Sequence, residues 1–346
     1  MPENRIALYP ILGVTDDWLD DPFDLAQLPA TILPGVTIED GKTFFNSSSF
    51  DLWSGYISKR ERESLERVRF AIVCRYDDVY GGPNYQSDKA AETVVRLMGA
   101  CLRLIRPMPQ DAAFIGGKIL PDSTVYIQRF EVPVEIGVPA VQRLFRLRNC
   151  DVTRLQKVAP IFMDAMHEEF WKFRSSIEFG DWGHFHHLYW KARFSLWCSA
   201  IEALYTSNAP LHKGSLVAKE RIKWFLGPDT RIYEPGDIQN GQPEVKTTIG
   251  EVLDDLYELR NVIAHGDKTP DKFWVTARSE YDEHVTLAEM LTEAASRIIR
   301  ASLLRILEEN LLKHFADGPA SEAFFAAQGL TKFLLYAKLN IQKGKP

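Results

Sequence analysis

The residues of this chain that are best suited to chemistry are Arg260, Asn261 and His265, which lie within one short segment. An arginine guanidinium offers a rigid fork of N–H donors that matches the oxygens of a phosphate. A histidine exchanges a proton near neutral pH, and an amide can hold a phosphate oxygen or a ring nitrogen. Together these residue types point to chemistry on a phosphate.

Their spacing has a geometric consequence, because each helical residue turns the chain by about 100°. Asn261 and His265 are four residues apart and share one helix face, and the long side chain of Arg260 can reach the same cleft. Arg260 and His265 are separated by about 140°, so one straight helix does not bring them together well. A partner helix related by twofold symmetry could complete the site.

A structural interpretation of the same residues stays open. Arg260 can form an ion pair with a neighbouring acid such as Glu258 or Asp267. His265 can stabilise the C-terminal end of its helix, where a positive charge is favoured. Structural ion pairs and helix caps are far more common than catalytic pairs, so the spacing alone does not decide between the two interpretations.

Two other groups of residues have spacings that suggest a site. Arg278 and His284 repeat the Arg-to-His spacing, but they lie in an acidic stretch without helical periodicity. A metal site is suggested by four residues: Asp181, His184, His186 and His187. Gly180 and Gly183 weaken any helix there and no cysteine supports the ligand set, so we predict no metal. No glycine-rich segment has the spacing of a phosphate-binding loop, and no cofactor is predicted.

A small basic patch in the second half of the chain is the best candidate for contact with an RNA backbone. Its residues are Lys213, Lys219, Arg221 and Lys223. Glu220 is the only acid among them. We predict that these side chains bind RNA phosphates, although a charge run on a short helix is more often a solvated face.

Composition and charge exclude several classes of protein. The chain has 346 residues and a net charge of −6, and its first 50 residues hold eight acids against two basic residues. Residues 51–346 carry no net charge. This part of the chain therefore lacks the domain-wide positive field that nonspecific nucleic-acid binders use. Four irregularly spaced cysteines indicate free thiols in a reducing compartment. No apolar run is long enough to span a membrane, and we expect a cytoplasmic protein.

The pattern of apolar residues predicts two domains, an α+β domain over residues 1–150 and an all-helical domain over residues 151–346. In the first, apolar residues alternate over 68–75, which predicts a half-buried strand, and a helix is predicted over 88–106. They also alternate over 130–136, where Pro133 places the strand at a sheet edge or makes it a poor strand.

In the second domain the period is helical over four further stretches, at about 190–204, 215–226, 247–265 and 287–306. Phe194, Trp197 and Trp224 fall on apolar stripes and are expected in the core. A helix over 151–177 could belong to either domain.

The segment 260–266 resembles the motif of the HEPN superfamily, in which an arginine and a polar residue are followed by a spacer and a histidine. The resemblance is closest to the ApeA-like HEPN domains of bacterial defence systems. The helix over 193–205 and the long helix after the motif support it, and it covers roughly residues 185–315. Residues 1–150 match no family that we can name.

The resemblance implies an all-helical HEPN bundle and a metal-independent endoribonuclease that acts as a homodimer. The RNA 2′-hydroxyl would attack the adjacent phosphate and leave a 2′,3′-cyclic phosphate. His265 would transfer the proton, Arg260 would stabilise the developing charge, and Asn261 would position the phosphate. Such a hydrolase would serve as a toxin or abortive-infection effector in antiviral defence.

The same resemblance allows a second function, a noncatalytic RNA- or protein-binding module whose first domain recognises the ligand. The partners expected for the effector are RNA, a second copy of the chain, and an antitoxin or phage-derived trigger. The first domain would then be a sensor or regulatory domain.

Overall fold

The computed structural model describes residues 4–11, 27–41, 59, 70–76, 87–106, 115–119, 125–130, 147–183, 189–206, 214–232, 246–274, 276–278 and 284–330. The chain divides into two compact units, Met1–Met163 and Asp164–Pro346. The helix predicted over 151–177, which the sequence did not assign to either domain, therefore begins in the first unit.

The first unit combines an antiparallel sheet with helices. Its described elements are β1 (Asn4–Ile11), β2 (Ala30–Leu33), β3 (Val36–Asp40), β4 (Phe70–Tyr76), α1 (Ser87–Ile105), β5 (Ile115–Ile119), β6 (Val125–Phe130) and α2 (Asn149–Asp164). The six described strands form one sheet in the order β2-β3-β4-β1-β5-β6, and all neighbouring strands are antiparallel. The combination of one antiparallel sheet with helices confirms the predicted α+β class of the first domain.

The strand β4 differs from its prediction in one respect. The alternating pattern predicts one buried face, but Phe70 is 2% exposed, and Ala71 and Val73 on the other side of the strand are also fully buried. The half-buried prediction is wrong because both faces of β4 are covered, and α1 is one of the elements that pack against the strand. The strand predicted over 130–136 lies outside the described residues except for Phe130, which ends β6.

The helix predicted over 88–106 is confirmed as α1, which packs against β1 and β4. Val95, Met98 and Cys101 are fully buried on its apolar side. Beyond its end, the guanidinium Nε of Arg106 donates to Asp151 Oδ2 at 3.1 Å, and the same oxygen accepts the backbone N–H of Arg148 at 3.0 Å. These bonds connect the end of α1 to the first turn of α2.

The second unit is predominantly helical. Its described elements are α3 (Trp171–Trp182), α4 (Trp190–Tyr205), α5 (Gly214–Leu226), α6 (Ile249–His265), β7 (Thr276–Arg278), β8 (His284–Thr286), α7 (Leu287–Glu308) and α8 (Gly318–Ala327), with short 3₁₀ turns at Glu168–Phe170, Asp271–Trp274 and Leu312–Phe315. The prediction of an all-helical domain is wrong in one place, because β7 and β8 form an antiparallel pair. Arg278 and His284, the second Arg–His pair, are opposite each other in it.

The single helix predicted over 151–177 is two helices, α2 and α3. The chain leaves the helical conformation at His167, whose backbone is extended with φ −68° and ψ 154°. The 3₁₀ turn Glu168–Phe170 then leads directly into α3.

The ends of the remaining helices follow the local signals in the sequence. At the start of α7 the backbone N–H of Glu289 donates to Thr286 Oγ1 at 3.2 Å, and the Glu289 carboxylate accepts the backbone N–H of Thr286 at 2.8 Å. This capping box is confirmed. The helix α5 ends before Gly227, whose φ of 89° is left-handed. Across the described helices, none is both long and apolar enough to cross a membrane.

Candidate functional site

The helix α6, which carries the Arg–His motif, is fixed at both of its ends. At its start, Glu251 Oε2 accepts the backbone N–H of Thr248 at 3.0 Å, and hydrogen bonds of this kind lower the pKa of the Glu251 carboxyl. At its end, Gly266 has a φ of 71°, a left-handed conformation that glycine adopts without steric cost. The backbone N–H of Asp267 donates to the Val262 carbonyl at 3.0 Å. The predicted termination at Gly266 is confirmed.

The first part of α6 packs in the core of the unit, whereas its last turn and a half is uncovered. Leu253, Leu256 and Leu259 are fully buried. From position 260 to 265 no residue is buried, and Asn261 and His265 are exposed. We call residues 260–265 the open end of α6. Its side chains are accessible to another molecule.

Arg260 is held by a glutamate of another helix. Its Nη2 lies 2.9 Å from Glu202 Oε2 of α4, and its Nη1 donates to Asn261 Oδ1 at 3.3 Å. The side chain of Arg260 keeps 34% of its surface exposed. The ion pair therefore fixes the direction of the guanidinium and leaves part of it open to solvent.

The acids suggested from the sequence as partners of Arg260 are not the ones that bind it. Glu258 Oε2 instead accepts from Lys272 Nζ at 2.7 Å, and no ion pair joins Arg260 to Asp267 among the described residues. Glu202 is a residue of the candidate site that the sequence reasoning did not connect to Arg260. It lies 58 positions before Arg260 in the chain, so that no local spacing could connect the two.

Two buried side chains lie beneath the ion pair. Burial raises the pKa of the Cys198 thiol and that of the Tyr257 hydroxyl, and the negative charge of Glu202 raises both further. The Tyr257 hydroxyl is buried and has no hydrogen-bond partner among the described residues. Both groups are thus neutral near pH 7, and neither is an activated nucleophile.

His265 is the last residue of α6 and is exposed. Within the described part of the chain, its imidazole takes part in no hydrogen bond or ion pair. A positive charge at this position is favoured by the helix C-terminus. The imidazole is thus accessible for proton exchange with a bound molecule.

The predicted basic patch is only partly available to RNA. Lys213 lies outside the described residues. The ammonium of Lys219 binds Asp254 Oδ1 at 2.6 Å, and that of Lys223 lies 3.7 Å from Glu220 Oε1. Both lysines are on α5 and keep part of their surface exposed.

Arg221 is wrongly predicted as an RNA-binding residue, because its side chain is completely buried. Its Nη1 and Nη2 donate to the two carboxylate oxygens of Glu322 at 2.9 and 2.7 Å, and Nη1 also donates to the Tyr205 carbonyl at 2.8 Å. The guanidinium carbon lies 4.6 Å from the centre of the Phe325 ring. Arg221 therefore joins α5 to α4 and α8.

The histidines of the metal hypothesis, His184, His186 and His187, lie outside the described residues. Asp181 is described and belongs to the last turn of α3. In the described ranges no group of three or more histidine, cysteine, aspartate or glutamate side chains is arranged to hold a metal ion.

Two of the three aromatic residues expected in the core are confirmed there. Phe194 is fully buried and Trp197 is 1% exposed. Trp224 is 41% exposed, so its assignment to the core is wrong. Its ring lies at the edge of a cluster with Phe324, at 5.7 Å between ring centres.

The open end of α6 is thus a solvent-exposed surface with an anchored guanidinium, an amide and an imidazole from residues 260–265. This set can bind a phosphate and transfer a proton. Comparison of the chain with protein-family models, with curated proteins and with solved structures gives no match.

Proposed function

We propose that this chain is a metal-independent endoribonuclease of the HEPN type. The observation that carries the proposal is the position of Arg260, Asn261 and His265 at the open end of α6, where none of the three is buried. A motif with a purely structural role would more often lie within the packed part of the helix. The family resemblance of segment 260–266 supplies the reaction.

In the proposed reaction His265 accepts the proton of a ribose 2′-hydroxyl. The 2′-oxygen forms a bond to the adjacent phosphorus, and the bond from phosphorus to the 5′-oxygen breaks. His265 then gives this proton to the leaving 5′-oxygen, so that the products are a 2′,3′-cyclic phosphate and a 5′-hydroxyl. Arg260 stabilises the negative charge that develops on the phosphoryl oxygens, and Asn261 positions them.

A second copy of the chain completes this site in our proposal. Arg260 and His265 are about 140° apart around one helix, which favours a cleft shared between two copies. The open end also carries Val262 and Ile263, which are only partly buried. Apolar side chains at this position suit contact with a partner helix. The roles of toxin or antiviral effector and of a sensing first domain rest on the resemblance alone.

The test is cleavage of total RNA in EDTA by the wild-type protein and by His265→Ala. We expect the wild type to produce fragments with 2′,3′-cyclic phosphate ends and His265→Ala to be inactive. His167→Ala is a matched control, since His167 is also exposed and lies in the same unit. Equal cleavage by the wild type and His265→Ala would contradict the proposal.

A second candidate is a noncatalytic binding module, and the ion pair between Arg260 and Glu202 favours it. In this case the 2.9 Å contact would serve to hold α6 against α4. RNA or protein binding that is unchanged by Arg260→Ala, together with no cleavage by the wild type, would support the binding module.

A further inference from the structure

Three aromatic side chains of the second unit are in contact, Tyr189, Trp190 and Trp274, and Trp190 is the partly buried one. Tyr189 is 65% exposed and Trp274 is 43% exposed. The ring centres of Tyr189 and Trp190 are 5.9 Å apart, and Trp190 meets Trp274 edge to face, also at 5.9 Å. We call these three residues the aromatic platform.

The platform is held by secondary structure on both sides. Tyr189 and Trp190 lie at the start of α4, and Trp274 ends the 3₁₀ turn Asp271–Trp274. Phe273, its neighbour in that turn, is fully buried and anchors the turn to the core. The rings are therefore presented by fixed backbone, and ordering them costs little when a ligand binds.

One cation lies against the platform. Lys191 Nζ lies 5.6 Å from the centre of the Trp190 ring. This ammonium can pair with a phosphate, and ring stacking has to supply most of the remaining binding.

The platform and the Arg260 site each have a residue on α4, Trp190 and Glu202. Glu202 contacts Arg260 near the end of α6, and Trp190 contacts Trp274 in the 3₁₀ turn that follows α6 in the chain. The two contacts are separated by about 18 Å along α4, from the 1.5 Å rise per helical residue.

We propose that the aromatic platform binds unpaired bases of single-stranded RNA. Bases stack on exposed aromatic rings without sequence preference, whereas the bases of a duplex are already stacked on each other. The choice of RNA as the ligand rests on the proposed ribonuclease function, whereas the exposed stacking surface itself does not.

The binding test uses a fluorescent oligonucleotide of about 12 nucleotides whose 2′-hydroxyls are all methylated. Such a strand cannot undergo 2′-hydroxyl attack, so binding is measured by anisotropy independently of cleavage. We expect Tyr189→Ala and Trp274→Ala each to raise the Kd by about tenfold, since each removes a stacking surface. Tyr189→Phe and Trp274→Phe keep a ring and should bind nearly as well as the wild type.

Trp171→Ala is the matched control, because Trp171 is 56% exposed and lies outside the platform. It should bind like the wild type, and a duplex of the same sequence should bind more weakly than the single strand. Urea unfolding shows whether each variant is folded. The proposal is overturned if both alanine variants bind the single strand like the wild type, if Trp171→Ala loses as much affinity, or if the duplex binds as tightly.

The cleavage assay separates this proposal from the ribonuclease function. Loss of single-strand binding in Trp274→Ala, with no RNA cleavage by the wild type, would retain the platform and remove the nuclease. Cleavage that depends on His265 but not on Tyr189 or Trp274, with unchanged single-strand binding, would retain the nuclease and remove the platform.

Discussion

Two arginines of the second unit each form an ion pair with a glutamate. They differ in how much of the guanidinium remains accessible to another molecule. Arg221 is fully buried and makes four hydrogen bonds, two to Glu322 and two to backbone carbonyls. Arg260 makes one bond to Glu202 and one to its neighbour Asn261, and it stays 34% exposed. A guanidinium with most of its donors occupied holds helices together, whereas one with donors to spare can also bind a ligand.

The largest effect that we expect is on stability, at Arg221. Arg221→Met should lower the free energy of unfolding by about 3 kcal/mol, because it removes a completely buried guanidinium that also donates to the Tyr205 and Leu330 carbonyls. Urea denaturation measures the change. Arg174→Met is the control, since Arg174 is 44% exposed and pairs with Glu178 on the surface; it should change stability by less than about 1 kcal/mol. Similar losses in the two variants would remove the contrast between buried and open arginines.

The next effect is on activity, at Arg260. Arg260→Ala should lower the rate of RNA cleavage by about 100- to 1000-fold, the usual cost of losing one group that stabilises developing charge. Its free energy of unfolding should fall by less than about 1 kcal/mol, because the pair with Glu202 is partly exposed. Arg260→Lys should not restore the rate, since a lysine lacks the planar fork. A loss of stability as large as that of Arg221→Met would show that both arginines are structural.

The smallest effect concerns an exposed ion pair, between Lys219 and Asp254. The hydrogen bond from Lys219 lowers the pKa of Asp254 in the folded chain below its ordinary value of 3.8. The resulting stability is fully present above that value and is lost as the pH falls through the lower pKa of the folded state. Wild type and Asp254→Asn should therefore differ by less than about 1 kcal/mol at pH 7 and should converge in acid. A difference that grows below pH 3.8 would contradict this.

The sequence was informative where structure depends on neighbouring residues. Thr286 and Glu289 predicted the start of α7, and Gly266 predicted the end of α6. These signals act over one helical turn, so they can be found without knowing the tertiary structure. The presence of Arg260, Asn261 and His265 on one helix end was predictable for the same reason.

Contacts between distant residues could not be predicted in this way. Glu322 is 101 positions from Arg221, and Glu202 is 58 positions from Arg260. On α5, Arg221 has the helical spacing of the buried Val217 and Phe225, whereas the partly exposed lysines beside it do not. That local pattern does not identify Glu322 as its partner. The burial of both faces of β4 likewise depends on elements outside the strand, among them α1, which the pattern of the strand itself does not reveal.

The central position of β1 has a consequence for the synthesis of the chain. β1 pairs with β4 and β5, so that residues near the N-terminus depend on residues 70–76 and 115–119 for their partners. The sheet thus has a high contact order, which slows folding because the loops must close before the pairing compensates for their entropy. Because β1 is synthesised before β4 and β5, it stays unpaired until they have been made. Deletion of β1 would divide the remaining strands into two separate groups, β2-β3-β4 and β5-β6.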